Sequence, residues 1–175
     1  GFQTQPGLNT VQEKLELALT KINNGKKTSI VATGRTDKGV HAKIQYGHTD
    51  IDVNITEYKL KRAMNSNLPD DIHVVETRIV PNDFHARYNV ISKEYKYYIN
   101  LGEYNPIERN YVFQYNYKLN IKLMKKGIKY FIGEHDFRAF VTDNKEKENC
   151  IRTITKAKIE EIKDNKICLT FEGSG

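Results

Sequence analysis

The sequence has little cysteine and no long apolar run, and both absences limit the class of protein. Only two of its 175 residues are cysteines, Cys150 and Cys168, and they form no C-x-x-C motif. Two cysteines are too few for a disulfide framework, so we expect reduced thiols in a cytoplasmic protein. No apolar run approaches the roughly 18 residues that span a bilayer, and nothing resembles a signal peptide. A chain that begins at Gly1 could still have lost its natural N-terminus.

Motifs for metal and nucleotide binding are also missing from the sequence. The five histidines include no H-E-x-x-H pattern and no cluster with cysteine, so we expect no metal site. Neither a P-loop nor a G-x-G-x-x-G pattern occurs, which removes the argument for a nucleotide cofactor.

Positive charge is what the sequence has in excess. Lysine and arginine number 28 against 22 acidic residues, which gives a net charge of +6 and a pI near 9.1. A polyanion is therefore a reasonable partner. The hydrophobic fraction of 38% is modest but sufficient for a core, and 175 residues fit one compact unit or two small halves.

The order of helical and strand-like segments predicts an α+β fold. Thr10 and Glu13 form a capping box, and apolar residues at helical spacing follow as far as Ile22. Further elements are predicted in this order: a strand over 29–33, a strand from 44, a helix capped by Asn54 and ending near 64, a strand over 72–79, a long strand over 88–101, a helix capped by Asn120 and ending at Gly133, and a hairpin of 153–162 and 166–171 around Asp164-Asn165. This order fits helices on a largely antiparallel sheet. A weak boundary near Pro81 divides the chain into 1–82 and 83–175.

One loop carries side chains suited to chemistry. It reads Gly34-Arg35-Thr36-Asp37-Lys38-Gly39-Val40-His41-Ala42 and follows the predicted strand over 29–33. Glycine tolerates positive φ, so the loop can turn sharply and present Asp37 at a strand end. A closed turn, in which Asp37 accepts nearby N–H groups and pairs with Arg35, explains the same residues structurally.

Aromatic and basic residues concentrate in the second half. Eight of the eleven tyrosines lie between Tyr88 and Tyr117, among lysines and arginines, as on an RNA-facing surface. A tyrosine-rich sheet packed on helices is the alternative, and we expect most of these rings to be structural. Five lysines crowd the helix that follows, where RNA contact and a solvated polar face are equally good explanations: Lys118, Lys122, Lys125, Lys126 and Lys129.

The nine-residue loop resembles the G-R-T-D-x-G-V-H signature of the TruA-type tRNA pseudouridine synthases. Other segments resemble the family in the same order: Gly1-Phe2-Gln3, Thr10-Val11-Gln12-Glu13, Asn65-Ser66-Asn67-Leu68-Pro69-Asp70-Asp71-Ile72, Asp83-Phe84-His85-Ala86-Arg87, Ser92-Lys93-Glu94-Tyr95-Lys96-Tyr97, Gly133-Glu134-His135-Asp136-Phe137 and Arg152-Thr153-Ile154. The resemblance therefore covers essentially the whole chain. It implies the pseudouridine-synthase fold, in which two ferredoxin-like halves form a largely antiparallel mixed sheet flanked by helices.

The resemblance also implies an activity and a set of site residues. The activity is isomerisation of uridine to pseudouridine at positions 38, 39 or 40 of the tRNA anticodon stem-loop, by a homodimer without a cofactor. Asp37 matches the catalytic aspartate of the family, and Arg35 matches an arginine that contacts RNA. Tyr95 matches the active-site tyrosine that holds the flipped base, although periodicity alone favours a cross-strand packing role. His85 and Arg87 match a segment that lines the RNA cleft, and we expect them to bind RNA or to support residues that do.

Both ends of the chain look shortened relative to the family. Phe2 stands where the family has tryptophan, and no first strand with a Tyr-Asp-Gly-type segment precedes it. The chain stops at Gly175, before the Phe-Leu-x-x-Met-Val-Arg segment that supplies a basic residue at the catalytic aspartate. We therefore expect a fragment of at most weak activity, which lacks this cation and at least one strand and leaves a sheet edge exposed.

Two other hypotheses fit the same composition. A non-catalytic RNA-binding module on a ferredoxin-like scaffold would stack bases on sheet tyrosines, although no RNP-type strand is evident. A basic structural protein of a ribonucleoprotein particle would give Asp37 no special role.

Overall fold

The computed structural model describes residues 1–115, 117–141 and 149–174. The chain separates into two compact units, Gly1–Asn89 and Val90–Gly175. The first contains an antiparallel pair of strands and two helices, and the second contains a five-stranded mixed sheet with a short helix. The predicted α+β class is confirmed. In the part of the chain that the structure describes, no helix has the length and apolar character needed to cross a membrane.

Helix α1 (Val11–Ile22) begins where the capping box predicts it. The side chain of Thr10 accepts a hydrogen bond from the N–H of Glu13 at 3.3 Å, which satisfies one of the N–H groups that a helix start leaves unpaired. Ala18 and Leu19 of α1 are buried in one apolar cluster with Met64. Burial of this cluster stabilises the first unit.

Helix α2 (Glu57–Asn65) begins at a different residue from the one predicted. The predicted cap, Asn54, is wrong, because the side chain of Thr56 accepts the hydrogen bond from the N–H of Lys59 at 3.4 Å. Asn54 and Thr56 both belong to the residue types that cap helices, so the sequence pattern alone does not separate them.

The predicted strand over 72–79 is also wrong, since this segment is irregular. Its backbone is held by side chains of α2 instead of a neighbouring strand. Asn65 exchanges two hydrogen bonds with the backbone of Val74, at 2.8 and 2.9 Å. The carboxylate of Glu57 accepts the N–H of Ile79 at 2.7 Å.

Two short strands bracket the loop that carries Asp37. Strands β1 (Val31–Ala32) and β2 (Gly47–His48) pair in antiparallel fashion, with Val31 opposite His48. They lie inside the predicted strands but are shorter. Both ends of the loop are therefore joined to the same two-stranded ladder.

The sheet of the second unit has the strand order β4-β3-β7-β6-β5. Its strands are β3 (Lys93–Asn100), β4 (Phe113–Gln114), β5 (Gly133–Asp136), β6 (Ile151–Ile162) and β7 (Lys166–Gly173). Neighbouring strands are antiparallel except β3 and β4, which are parallel. The predicted hairpin is confirmed, and Asp164 and Asn165 at its turn have φ of 63° and 54°. Strands β4 and β5 were not predicted.

A helix covers one face of this sheet. Helix α3 (Ile121–Gly127) begins at the predicted cap, where the side chain of Asn120 accepts the N–H of Leu123 at 3.0 Å. A 3-10 turn, Ile128–Phe131, continues it, and Gly133 follows with φ of 110°. Ile128 packs into the buried cluster of the sheet: Ile99, Ala157, Ile159 and Ile167. A second 3-10 turn spans Arg138–Phe140.

Candidate active site

Hydrogen bonds close the base of the loop that connects β1 and β2. The N–H of Thr33 donates to the carbonyl of Tyr46 at 2.9 Å and extends the ladder by one step. The side-chain amide of Gln45 donates to the carbonyl of Gly34 at 2.8 Å. The loop therefore starts and ends at fixed backbone positions.

The N-terminal residues of the chain support the loop from outside. The N–H of Phe2 donates to the carbonyl of Thr36 at 3.0 Å, while the carbonyl of Phe2 accepts the N–H of Gln12 at 2.9 Å. The ring of Phe2 is buried. A Cβ added at Gly1 would lie 3.2 Å from the carbonyl oxygen of Thr36, so the loop and the N-terminus are in close contact. Phe2 thus links the loop to the first turn of α1.

Asp37 is exposed at the tip of this fixed loop. Its carbonyl accepts the N–H of Val40 at 3.2 Å, and Gly39 within the turn has φ of 88°, a conformation that favours glycine. Among the described residues of the first unit, none forms a hydrogen bond or ion pair with the carboxylate of Asp37. The carboxylate is therefore open to a ligand, unlike that of the closed turn considered above.

Arg35 contacts a side chain from the start of the chain. Its Nη1 donates to Oε1 of Gln3 at 2.8 Å. Only one of the five guanidinium N–H groups is used in this bond, which leaves donors for a phosphate or carboxylate. The sequence alone did not indicate a role for Gln3, although its place in the Gly1-Phe2-Gln3 motif was a signal for one.

His85 and Arg87 lie on a turn that is fixed to β2. The ring nitrogen Nδ1 of His48 accepts the N–H of Ala86 at 3.1 Å, and the rings of His48 and His85 are 4.8 Å apart. Nδ1 of His85 accepts the N–H groups of Arg87 and Tyr88 at 3.2 and 3.3 Å. The His85 ring therefore serves the local backbone, whereas the side chain of Arg87 is exposed.

Tyr95 belongs to the second unit and lies on β3. It is opposite Phe171 of β7, and 57% of its surface is exposed. Tyr97, two residues along the same face, is 54% exposed and lies beside Phe113 with ring centroids 6.1 Å apart. Both rings therefore have surface available for stacking, while Ile99 further along the strand is buried.

The motif, the exposed aspartate and the α+β architecture agree with a comparison to known families. A family model described as tRNA pseudouridine synthase matches residues 1–89 and 128–175. The chain belongs to the tRNA pseudouridine synthase family. The match omits residues 90–127, which include Tyr95.

Individual family members align with the chain over its full length. It is 40% identical over 176 aligned positions to tRNA pseudouridine synthase A of Listeria monocytogenes and 41% identical to tRNA pseudouridine synthase A 1 of Bacillus cereus. Identity to tRNA pseudouridine synthase A of Listeria welshimeri is 39%. Each alignment covers all of this chain and 71% of the relative. Family membership makes the chain an isomerase that acts on tRNA.

Proposed function

We propose that this chain converts uridine to pseudouridine at positions 38, 39 or 40 of the tRNA anticodon stem-loop, with Asp37 as the nucleophile. The observation that carries the proposal is the exposed Asp37 carboxylate, which lacks a partner in the described part of its unit although its loop is held by Phe2 and Gln45. Aspartate acts as a covalent nucleophile when it is positioned in this way. A rigid loop limits the entropy that the carboxylate loses when it meets a reacting atom.

The reaction requires only what a carboxylate can supply. The bond between C1′ and N1 of uridine breaks, the base turns over, and a bond forms between C1′ and C5. The hydrogen on C5 leaves as a proton and N1 ends protonated, so there is no net oxidation or reduction. Attack on C1′, attack on C6 and assistance through a glycal all use an ionised carboxylate beside the ribose and base, and the proposal includes each of them.

The other site residues have roles in holding the RNA. Arg35 contacts the nucleic acid with the guanidinium donors that Gln3 leaves available. Tyr95 stacks on the flipped uracil and recovers about 1–3 kcal/mol of the few kcal/mol that extrusion costs. Arg87 contacts the RNA backbone, and His85 holds the turn from which Arg87 extends.

We propose the family arrangement for the rest of the molecule as well. Residues 1–82 form the half that carries the catalytic loop, and residues 83–175 form the other half. The chain acts on tRNA in the cytoplasm as a homodimer without a nucleotide cofactor. The resemblance to the family supports these statements, and sedimentation equilibrium measures the oligomeric state.

Release of the C5 proton tests the proposed substrate position. This chain is incubated with tRNA that carries tritium at C5 of its uridines, and with the same tRNA in which cytidine replaces the uridines at positions 38–40. Over long incubations at high protein concentration, we expect slow but measurable tritium release from the first tRNA and none from the second, with similar Kd values for both. Equal release would place the reaction elsewhere in tRNA. Tight binding of both tRNAs without release would favour the non-catalytic RNA-binding module.

A further inference from the structure

A groove between α3 and β6 lies in the second unit, and the proposed site does not use it. Its volume is about 570 Å³. Its floor is apolar and includes Ile128, Ala157 and Ile159, while its walls carry five lysines and one carboxylate, that of Glu161. The side chains that line the groove therefore have an excess of positive charge above an apolar floor.

The lysines of one wall lie on α3 and on the 3-10 turn that continues it. Lys122, Lys125 and Lys126 follow the α-helical spacing i, i+3 and i+4, so their side chains are neighbours, and Lys129 follows in the 3-10 turn. No acidic residue occurs between 121 and 131. Like charges at i and i+4 destabilise a helix, and Lys122 and Lys126 are such a pair on α3. The helix gains no stability from this pair.

Two of the groove lysines are neutralised and three are not. Lys125 pairs with Glu161 at 2.6 Å, and Lys158 on the opposite wall pairs with Glu160 at 2.7 Å. Lys122, Lys126 and Lys129 are exposed, and within residues 90–115, 117–141 and 149–174 none of them forms an ion pair. Three uncompensated positive charges thus remain on one wall of the groove.

We propose that this groove binds the phosphodiester backbone of the tRNA substrate, as a contact additional to those of the Asp37 loop. The proposal rests on the proposed function for the identity of the polyanion. Lysine ammonium groups bind phosphates as point charges without reading sequence, and helical neighbours about 5–6 Å apart can contact successive phosphates. Lys122, Lys125 and Lys126 lie outside the residues that the family model matches, so the family match does not imply the groove.

Two triple variants with equal net charge test the groove. The groove variant carries Lys122→Gln, Lys126→Gln and Lys129→Gln. The matched control carries Lys21→Gln, Lys59→Gln and Lys163→Gln, which removes three exposed lysines from α1, α2 and the hairpin turn. The Kd for unmodified tRNA is measured between 50 and 200 mM salt, and the C5-proton release assay gives kcat and KM.

We expect the groove variant to bind tRNA at least tenfold more weakly at 100 mM salt, with KM raised and kcat at saturating tRNA unchanged. The slope of log Kd against log salt should fall by about 2–3, because each lost phosphate contact removes about 0.7–0.9 from it. The control should remain within about twofold of the unsubstituted chain. Equal weakening of both variants, or weakening of neither, would overturn the proposal.

Two further outcomes separate this proposal from others. If the unsubstituted chain binds tRNA without proton release and the groove variant loses that binding, the groove proposal stands while the proposed function fails. If proton release is normal and the groove variant binds tRNA like the unsubstituted chain, only the groove proposal fails. The groove variant could instead lose the binding to phosphatidylserine vesicles that the unsubstituted chain shows, while its tRNA affinity stays unchanged. That result would assign the groove to a membrane surface and overturn the proposal.

Discussion

Arg35 is held by an amide from the start of the chain and not by the carboxylate two residues away. Its hydrogen bond to Gln3 orients the guanidinium while Asp37 remains exposed. An ion pair between Arg35 and Asp37 would instead occupy both groups and add little stability on an exposed loop. The bond to Gln3 therefore holds the guanidinium of Arg35 without using the carboxylate of Asp37.

Removal of the Gln3 side chain should lower activity more than stability. Gln3→Ala releases Arg35, and we expect kcat/KM for tRNA to fall roughly tenfold, less than the ~100-fold that a 1 Å misplacement at a reacting centre can cost. The free energy of unfolding should change by less than about 0.5 kcal/mol because the bond is exposed. Gln3→Glu keeps an acceptor for Arg35 and serves as the control. An unchanged kcat/KM in Gln3→Ala would show that Arg35 does not need this bond.

One short motif indicates Asp37 and Arg35 as site residues, but it does not indicate the residues that hold them. Gln3 and Arg35 are 32 positions apart, and His48 and Ala86 are 38 apart. Such pairs form only when the folded chain brings distant residues together. The local sequence around an amide or an imidazole does not specify its distant partner. The motif residues could therefore be predicted from the sequence, whereas the residues that hydrogen-bond to them could not.

On the sheet, two glutamates of adjacent strands lie directly opposite each other. Glu94 of β3 faces Glu172 of β7, an arrangement that is unfavourable for like charges. Lys156 of β6 reaches both carboxylates, at 3.2 and 3.9 Å, and Lys96 contacts Glu94 at 3.2 Å. The hydrogen bonds from Lys96 and Lys156 hold the pKa of Glu94 below its ordinary value of 4.5.

The lowered pKa of Glu94 should appear in the acid stability of the chain. A carboxyl whose folded pKa is lowered stabilises the fold above its ordinary pKa, and this contribution is lost as pH falls through the folded value. The urea midpoint of Glu94→Gln should therefore decrease less between pH 7 and pH 3.5 than that of the unsubstituted chain. Glu103→Gln, which changes an exposed glutamate, should behave like the unsubstituted chain. If the urea midpoint of Glu94→Gln decreased between pH 7 and pH 3.5 by as much as that of the unsubstituted chain, Glu94 would not contribute to acid stability in this way.

Two of the three helix starts were predicted correctly from local patterns. Thr10 and Asn120 cap helices through bonds to residues three positions later, so the relevant pattern is local. The segment over 72–79 has strand-like residues, yet Asn65 and Glu57 of α2 take its backbone hydrogen bonds. Strand β5, Gly133–Asp136, has no apolar alternation and exists because β6 pairs with it. Strand assignment depends on a partner that a local pattern does not specify.

The net charge of +6 indicates that the protein favours a polyanionic partner, but it does not indicate where that partner binds. The sequence leaves the lysines of α3 equally compatible with RNA contact and with a solvated face. The structure adds that three of them line an apolar-floored groove without an ion pair among the described residues. Composition thus predicted the class of partner, while the location of the charge required the fold.

The proposed role of the Asp37 carboxylate as the nucleophile is best examined with an isosteric substitution. C5-tritium release from tRNA is followed for the unsubstituted chain, for Asp37→Asn and for Asp50→Asn, which neutralises another exposed aspartate of the first unit. We expect Asp37→Asn to reduce release to the background of the assay, because loss of a covalent nucleophile costs at least about 1,000-fold, with tRNA affinity nearly intact. Asp50→Asn should release tritium at the rate of the unsubstituted chain. Equal release by Asp37→Asn and the unsubstituted chain would show that Asp37 is not the nucleophile.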